Sequence, residues 1–224
     1  MNSDLSFRDQ IDSVFESANR MAGWALRSFK SRSKVVMLTI LRSLIQPRLD
    51  YCSQLWSPSD QTAINRLEGI QRRFVAQIRD PSLVSLNYWD KLNCLGVYSQ
   101  ERRRERHQIC LIWKLSQDLC DGYDVQWQWN QRRGRSAVIP PIKRSASSKV
   151  QRTRERSFKV HAARLFNLLP MNIRNENSGD YELFKNHLDI FLSRIPDQPT
   201  TAGLTRAAST NSLLHQIPLV DDLY

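Results

Sequence analysis

Apolar residues recur at intervals of three and four along most of this chain, and this spacing restricts the fold more than any other feature. The first such segment, Phe7 to Phe29, predicts one amphipathic helix. Val35 to Ile45 is apolar on nearly every side, which predicts a second helix with several neighbours, ending near Pro47. A third helix is predicted to begin with Ser59 or Asp60 as its cap. The pattern favours an all-α protein built around the second helix.

The next two helices are marked by glycine and serine. A short helix around Leu83 to Leu92 is expected to close at Gly96, because glycine readily takes the left-handed conformation that ends helices. Ser99 then offers a cap for a fifth helix. Residues 101–108 are polar on every face. We therefore expect the first turns of this fifth helix to project from the core into solvent.

Two apolar stripes near the C-terminus predict a pair of helices. The first stripe runs from Phe158 to Leu169, and the second, from Tyr181 to Ile195, has Asp180 as its expected cap. Ahead of this pair, from Tyr123 to about Arg152, the helical period is lost among glycine, proline and serine residues, which is typical of a linker or a mobile loop.

The predicted organisation has four parts. They are a helical bundle over residues 5–120, a basic irregular linker over 121–152, a C-terminal helical pair over 153–195 and a flexible tail over 196–224. The tail is rich in Thr, Ala, Ser and Pro and poor in aromatic residues, so we expect no fixed structure there.

Positive charge is concentrated in one stretch, Arg132 to Arg164. These 33 residues hold eleven Lys or Arg and one acid, a net charge of +10, whereas the other 191 residues of the chain sum to +1. Such a concentration is typical of a surface that meets phosphate backbones. The alternatives are a disordered solubilising loop and a nuclear import signal.

A second basic cluster opens the fifth helix and could line a backbone groove. The alternative is a solvated helix face with internal pairs, since Glu101 and Arg104, and likewise Arg102 and Glu105, are three residues apart. The two clusters give these candidate nucleic-acid-binding residues: Arg102, Arg103, Arg104, Arg106, Arg132, Arg133, Arg135, Lys143, Arg144, Lys149, Arg152, Arg154, Arg156, Lys159 and Arg164.

Other classes of function find little support in the sequence. Four cysteines without close pairing and the lack of a secretory leader indicate reduced thiols and an intracellular protein, cytoplasmic or nuclear. The longest nearly unbroken apolar run, Val35 to Leu41, is too short to span a bilayer, so we expect a soluble protein with no membrane partner. We predict no catalytic residue, no metal site and no cofactor. Asp221-Asp222 resembles a polymerase metal motif, but no partner strand follows it, so we interpret it as an acidic tail end.

Three blocks of sequence stand in order along the chain. The first is Leu-Asp-Tyr-Cys-Ser-Gln-Leu-Trp-Ser-Pro at 49–58 with Leu-Glu-Gly-Ile-Gln-Arg-Arg-Phe at 67–74. The second is Leu-Asn-Cys-Leu-Gly-Val-Tyr-Ser at 92–99, with Arg102 and Arg103 just after it. The third is Arg-Ser-Phe at 156–158, then Arg-Leu-Phe-Asn-Leu-Leu-Pro at 164–170, then Phe-Lys at 184–185. They resemble the region downstream of the polymerase core in reverse transcriptases of non-LTR (LINE-type, jockey-like) retrotransposons. The resemblance covers about Leu5 to Leu192 and departs from the family at Phe166, where a tryptophan is usual.

The resemblance implies a function. It matches the chain to the helical thumb of such a polymerase and the segment behind it, while the palm with its catalytic aspartates would precede residue 1. The chain would then be the non-catalytic C-terminal portion of an RNA-directed DNA polymerase and not an enzyme on its own. Its partners would be RNA or DNA, as a template-primer duplex gripped by its backbone, and the remainder of the polymerase. The alternative is a helical protein-interaction module or a remnant open reading frame without nucleic-acid activity.

Overall fold

The computed structural model describes residues 7–120, 128–130, 135–139, 147–176, 179–199 and 211–221. Within them the fold is predominantly all-α, as predicted, with one pair of short antiparallel strands. The chain forms two compact units. The first unit comprises Met1–Arg104 with Asp197–Thr210, and the second unit comprises Glu105–Pro196 with Asn211–Tyr224.

The first unit contains the helices from α1 to α6 and the start of α7. They are α1 (Arg8–Ser28), α2 (Lys34–Ile40), a π-helical turn (Leu41–Ile45), α3 (Gln46–Asp50), α4 (Ser53–Trp56), α5 (Gln61–Val75), a 3₁₀ turn (Pro81–Leu83), α6 (Tyr88–Leu95) and α7 (Gln100–Ser116). The two units divide within α7, after Arg104.

The core of the first unit surrounds the segment predicted to be its centre. Met37, Leu41, Ile45 and Leu49 are fully buried and follow one another at intervals of four, so they form one apolar stripe. Removing such a side chain from water contributes about 1.5–3 kcal/mol. The segment lies in the core of the first unit as predicted, but it is buried along one stripe and not on every side, since Val35 is 75% exposed.

Pro47 does not end this segment as we predicted. The backbone stays helical through Pro47 to Asp50, and the five residues before α3 form a π-helical turn. In an α-helix a proline ring meets the carbonyl of the fourth residue before it. Pro47 instead stands in the first turn of α3, directly after the π turn, and proline is tolerated in the first turn of a helix.

The capping predictions in the first unit are confirmed. The side chain of Asp60 accepts from the Ala63 N–H at 3.1 Å, Gly96 ends α6 with φ 60°, and the Ser99 hydroxyl accepts from the Arg102 N–H at 3.2 Å. The fourth helix begins later than expected, at Tyr88, because the residues from Pro81 form a separate 3₁₀ turn.

The second unit contains the predicted C-terminal pair and further elements. They are β1 (Trp129–Asn130), β2 (Ser136–Ala137), α8 (Ser148–Arg156), α9 (Phe158–Asn167), α10 (Met171–Arg174), α11 (Tyr181–Leu192) and α12 (Leu213–Asp221). Both strands and most of α8 fall in the segment predicted as an irregular linker. β1 and β2 pair antiparallel, with Trp129 opposite Ala137.

Aromatic contacts hold the second unit together around α9 and α11. The indole of Trp113 stacks on the Phe184 ring with centroids 4.5 Å apart, and Trp129 meets Phe166 edge to face at 5.7 Å. Asp180 caps α11 through the N–H groups of Glu182 and Leu183, as predicted. The pair of helices is therefore confirmed, and Trp129 packs against the core of this unit.

The predicted flexible tail contains α12. Residues 200–210 and 222–224 lie outside the described residues, but between them Leu213 and Ile217 are buried. The N–H of Leu213 and the hydroxyl of Ser212 donate to the buried carboxylate of Glu105. The sequence interpretation missed this helix because its capping partner lies more than a hundred residues away.

Among the described residues, each helix lacks either the length or the apolar content that crossing a bilayer requires.

Candidate nucleic-acid interface

The basic cluster at the start of α7 is buried, which contradicts the prediction that these turns project into solvent. Arg102 is 0% and Arg104 is 1% exposed, and Glu101 and Glu105 are also buried. Nε of Arg102 lies 4.0 Å from a carboxylate oxygen of Asp197. Neither guanidinium is accessible to a phosphate. Arg102 and Arg104 are therefore no longer candidates for contacts with a nucleic-acid backbone.

A buried polar network explains why this charged helix start tolerates burial. The carboxyl of Glu68, on α5, accepts from the Gln100 N–H at 2.7 Å and from the Tyr88 hydroxyl. Asp197 accepts from the N–H and the hydroxyl of Ser99, each at 2.7 Å. Acids brought from elsewhere in the chain thus satisfy the orphan N–H groups at the N-terminus of α7.

Burial raises the pKa of Glu68 to about 7. Hydrogen bonds from Tyr88 and Gln100 and the charge of Arg104 act in the opposite direction, and the nearby charge of Asp197 adds a small further rise. The acid is therefore partly protonated near neutral pH although it lies beside an arginine.

The other two arginines of the cluster form ion pairs. In the first unit, Arg103 donates to the Asp50 carboxylate at 2.7 Å. In the second unit, Arg106 donates from two nitrogens to the two oxygens of Asp189, at 2.6 and 2.7 Å. Such bidentate pairs fix the guanidinium and neutralise its charge. We expect little attraction for phosphate at either residue.

The stretch from Arg132 to Arg164 is only partly described. Arg132, Arg133, Lys143 and Arg144 lie outside the described residues, as do the side chains of Lys149, Arg152 and Arg156 on α8.

Of the remaining four, Arg135 has a structural role. It donates to the Ser116 carbonyl and lies over the Trp129 ring at 5.3 Å, and burial lowers the pKa of its guanidinium. Arg154 and Lys159 are half-buried, and Arg164 lies 3.8 Å from Glu155. The stretch remains a candidate through α8, where the spacing of positions 149, 152 and 156 is that of one helix face.

A basic groove that the sequence reasoning missed lies between α1 and α5 in the first unit. Its volume is about 550 Å³, and its charged lining residues are Arg20 and Arg27 of α1, Arg73 of α5 and one acid, Glu16. Its floor is apolar and includes Leu26, Ile70 and Phe74. We call this the α1–α5 groove.

The arginines of the α1–α5 groove differ in their contacts. Arg73 donates to the side chain of Asn19 at 2.8 Å and to the Gly69 carbonyl at 3.2 Å, which ties α5 to α1. Arg20 and Arg27 are exposed, and within the part of the chain that the structure describes neither forms a hydrogen bond or an ion pair. Nη1 of Arg27 lies 3.3 Å from where a Cβ on Gly23 would stand, so the missing side chain gives the guanidinium room to cross the helix.

A signal for this groove was present in the sequence. Residues 17–49 contain no Asp or Glu, and their seven cations are Arg20, Arg27, Lys30, Arg32, Lys34, Arg42 and Arg48. This segment is less densely charged than residues 132–164, where the net charge is +10, so charge density alone does not single it out. A count of acid-free length would have found it.

No family model, no curated protein and no solved structure matches this chain.

Proposed function

We propose that the chain binds nucleic acid through the phosphate backbone, as the non-catalytic C-terminal portion of an RNA-directed DNA polymerase of the LINE type. The α1–α5 groove carries the proposal, because it presents exposed arginines that form no ion pair with an acid of the described residues. With Arg73 and Glu16 its net charge is +2. Guanidinium groups bind phosphate oxygens in a fork, and exposed cations without partners release counterions when they do so.

The contrast within the first unit supports this choice of residues. Arg103 is paired with Asp50, and Arg66 with Asp12, so their charges are already compensated. Arg20 and Arg27 stand seven residues apart on one face of α1, roughly 10 Å along its axis, and both face the same groove. A chain of phosphates could contact both at once.

The polymerase origin is supported by where the resembling blocks lie. Leu67, Ile70 and Phe74 of the first block are buried on α5, and Phe166 of the third block is fully buried on α9. An aromatic core residue is thus retained where the family has tryptophan. The blocks bear on the fold, whereas the binding proposal depends on the arginines of the groove.

The test is a polarisation titration with a labelled oligonucleotide over a range of salt concentrations. Each phosphate contact contributes about 0.9 to the slope of log affinity against log salt for duplex and about 0.7 for a single strand. Arg20→Gln with Arg27→Gln should therefore reduce the slope by about 1.4 for a single strand and about 1.8 for duplex, and should weaken binding uniformly across sequences.

The matched control is Arg8→Gln with Arg42→Gln. Both arginines are exposed, both belong to the first unit, and the pair removes the same charge. An equal loss of slope in the control would show that net charge and not the groove is responsible. If the folded wild-type chain binds neither RNA nor DNA, the alternative of a helical protein-interaction module takes the place of this proposal.

A further inference from the structure

An exposed tryptophan stands between Arg20 and Arg27 of α1, neither of which forms an ion pair within the described residues. Arg20, Trp24 and Arg27 are spaced by four and three residues, which places them on one face of the helix. The Trp24 side chain is 46% exposed. A large aromatic ring left in water between two cations contributes little to the core of the first unit.

Contacts at the end of α1 hold this ring in position. Trp24 meets the Phe29 ring edge to face, with centroids 5.9 Å apart and planes at 87°, and Phe29 is itself 39% exposed. Arg32 donates to the carbonyls of Leu26 and Phe29, and its own carbonyl accepts from the Arg79 N–H at 2.8 Å. The helix end that carries both rings is therefore capped and fixed before any ligand arrives.

An aromatic face flanked by cations matches one form of nucleic acid better than the other. A base in a single strand has free faces that stack on an aromatic side chain, and stacking contributes about 1–3 kcal/mol per base. In a duplex both faces of an internal base are covered, so only the phosphates remain to be contacted. An apolar protein partner would have to cover two uncompensated arginines to reach the ring.

We infer that Arg20, Trp24 and Arg27 form a platform for single-stranded nucleic acid, with a base stacked on Trp24 and phosphates bound by the arginines on either side. Phe29 supports the indole. Arg20 and Arg27 also line the α1–α5 groove, so the platform and the groove share both cations. The platform rests on the proposed function, which needs only backbone contacts, and adds a preference for unpaired strands.

The test compares a labelled 20-nucleotide single strand with the duplex of the same sequence, both titrated with the full chain at one salt concentration. Trp24→Ala should weaken single-strand binding about tenfold, because a stacking contact of about 1.4 kcal/mol corresponds to that factor. Duplex binding should change less than about twofold. Trp24→Phe keeps an aromatic face and should retain most of the single-strand affinity.

Tyr51→Ala is the matched control, since Tyr51 is 74% exposed in the same unit and lines a different cavity. It should leave both affinities unchanged, and circular dichroism melts should show that each variant is folded. If Trp24→Ala weakens duplex and single strand equally, or weakens neither while the wild type binds both, the platform is refuted and backbone binding stands. If the wild type binds neither form, the proposed function fails and this inference fails with it.

Discussion

Glu68 lies where α5, α6 and the start of α7 meet, and its buried carboxyl accepts hydrogen bonds from both neighbouring elements. An acid at this position on α5 looks from the sequence like part of a charged outer face. Its role depends on Tyr88 and Gln100, twenty and more residues away, so no local pattern reveals it. Burial raises the pKa of its carboxyl from 4.5 to about 7.

This raised pKa predicts how the stability of the protein varies with pH. Between about pH 4.5 and 7 the folded protein binds more protons at Glu68 than the unfolded chain does, so this residue makes stability fall as pH rises. The total loss is about 3 kcal/mol, and it is complete about one pH unit above the folded pKa. Glu68→Gln removes the titrating proton and should flatten the profile of urea unfolding free energy across this range.

Glu16→Gln is the control for the effect of Glu68, because Glu16 is exposed in the same unit. Asp197, Tyr88, Arg72 and Arg104 have charges or protons near this network and are present in the wild type and in both variants. Equal pH dependence in wild type and Glu68→Gln would contradict the assignment.

At the scale of single elements, the caps of helices were predictable, whereas the end expected at Pro47 and the burial of polar faces were not. A cap forms hydrogen bonds only with groups up to four residues away along the chain. The sequence alone therefore identifies the caps Asp60, Gly96 and Ser99. The polar face of α7 looked solvated because its partners, Glu68 and Asp197, come from distant parts of the chain. A helix pattern records how polar a face is, but not whether other elements supply opposite charge.

Alanine substitutions at two glycines of the first unit test whether backbone conformation is what requires glycine at a helix end. Gly96 has φ 60°, whereas Gly69 lies inside α5, and an added Cβ would meet nothing within 4 Å at either position. Gly96→Ala should therefore destabilise the protein by about 1 kcal/mol through backbone strain alone. Gly69→Ala should stabilise it by about 0.5–1 kcal/mol, because alanine favours a helix interior.

The measurement for the glycine pair is the free energy of unfolding from urea titrations of both variants beside the wild type. Each substitution adds the same methyl group, so each serves as the control for the other. Two changes of the same sign would contradict the account, since space is open at both sites and only the backbone conformation differs.

At the scale of the whole molecule, the helical class and the C-terminal pair were predictable, because both follow from apolar spacing within single segments. The division into two units was not predicted, because it falls inside α7, where neither glycine nor proline interrupts the helix. The structural contacts of Asp197 and α12 in the C-terminal segment were not predicted either, because their partners are distant in the sequence. Asp197 belongs to the first unit and α12 to the second, and each makes its contacts with residues about a hundred positions earlier.

The C-terminal segment should consequently stabilise both units. A chain ending at Pro196 loses the acceptor of the Ser99 N–H and hydroxyl in the first unit, and it loses the buried Leu213 and Ile217 in the second. Removing a buried hydrogen-bond partner costs about 1–3 kcal/mol, and truncating a buried leucine or isoleucine costs about 2–5 kcal/mol. We expect faster amide hydrogen exchange in the first turn of α7 and in α9, which packs against α12.

Single substitutions separate the two effects of this truncation. Asp197→Ala should speed exchange in the first unit only, and Ile217→Ala in the second unit only, while the shortened chain shows both changes. A tail without structural contacts would leave every exchange rate as in the wild type. That outcome would restore the flexible tail predicted from composition, whereas the half-buried carboxylate of Asp197 and the buried carboxylate of Glu105 favour a segment that each unit needs for its full stability.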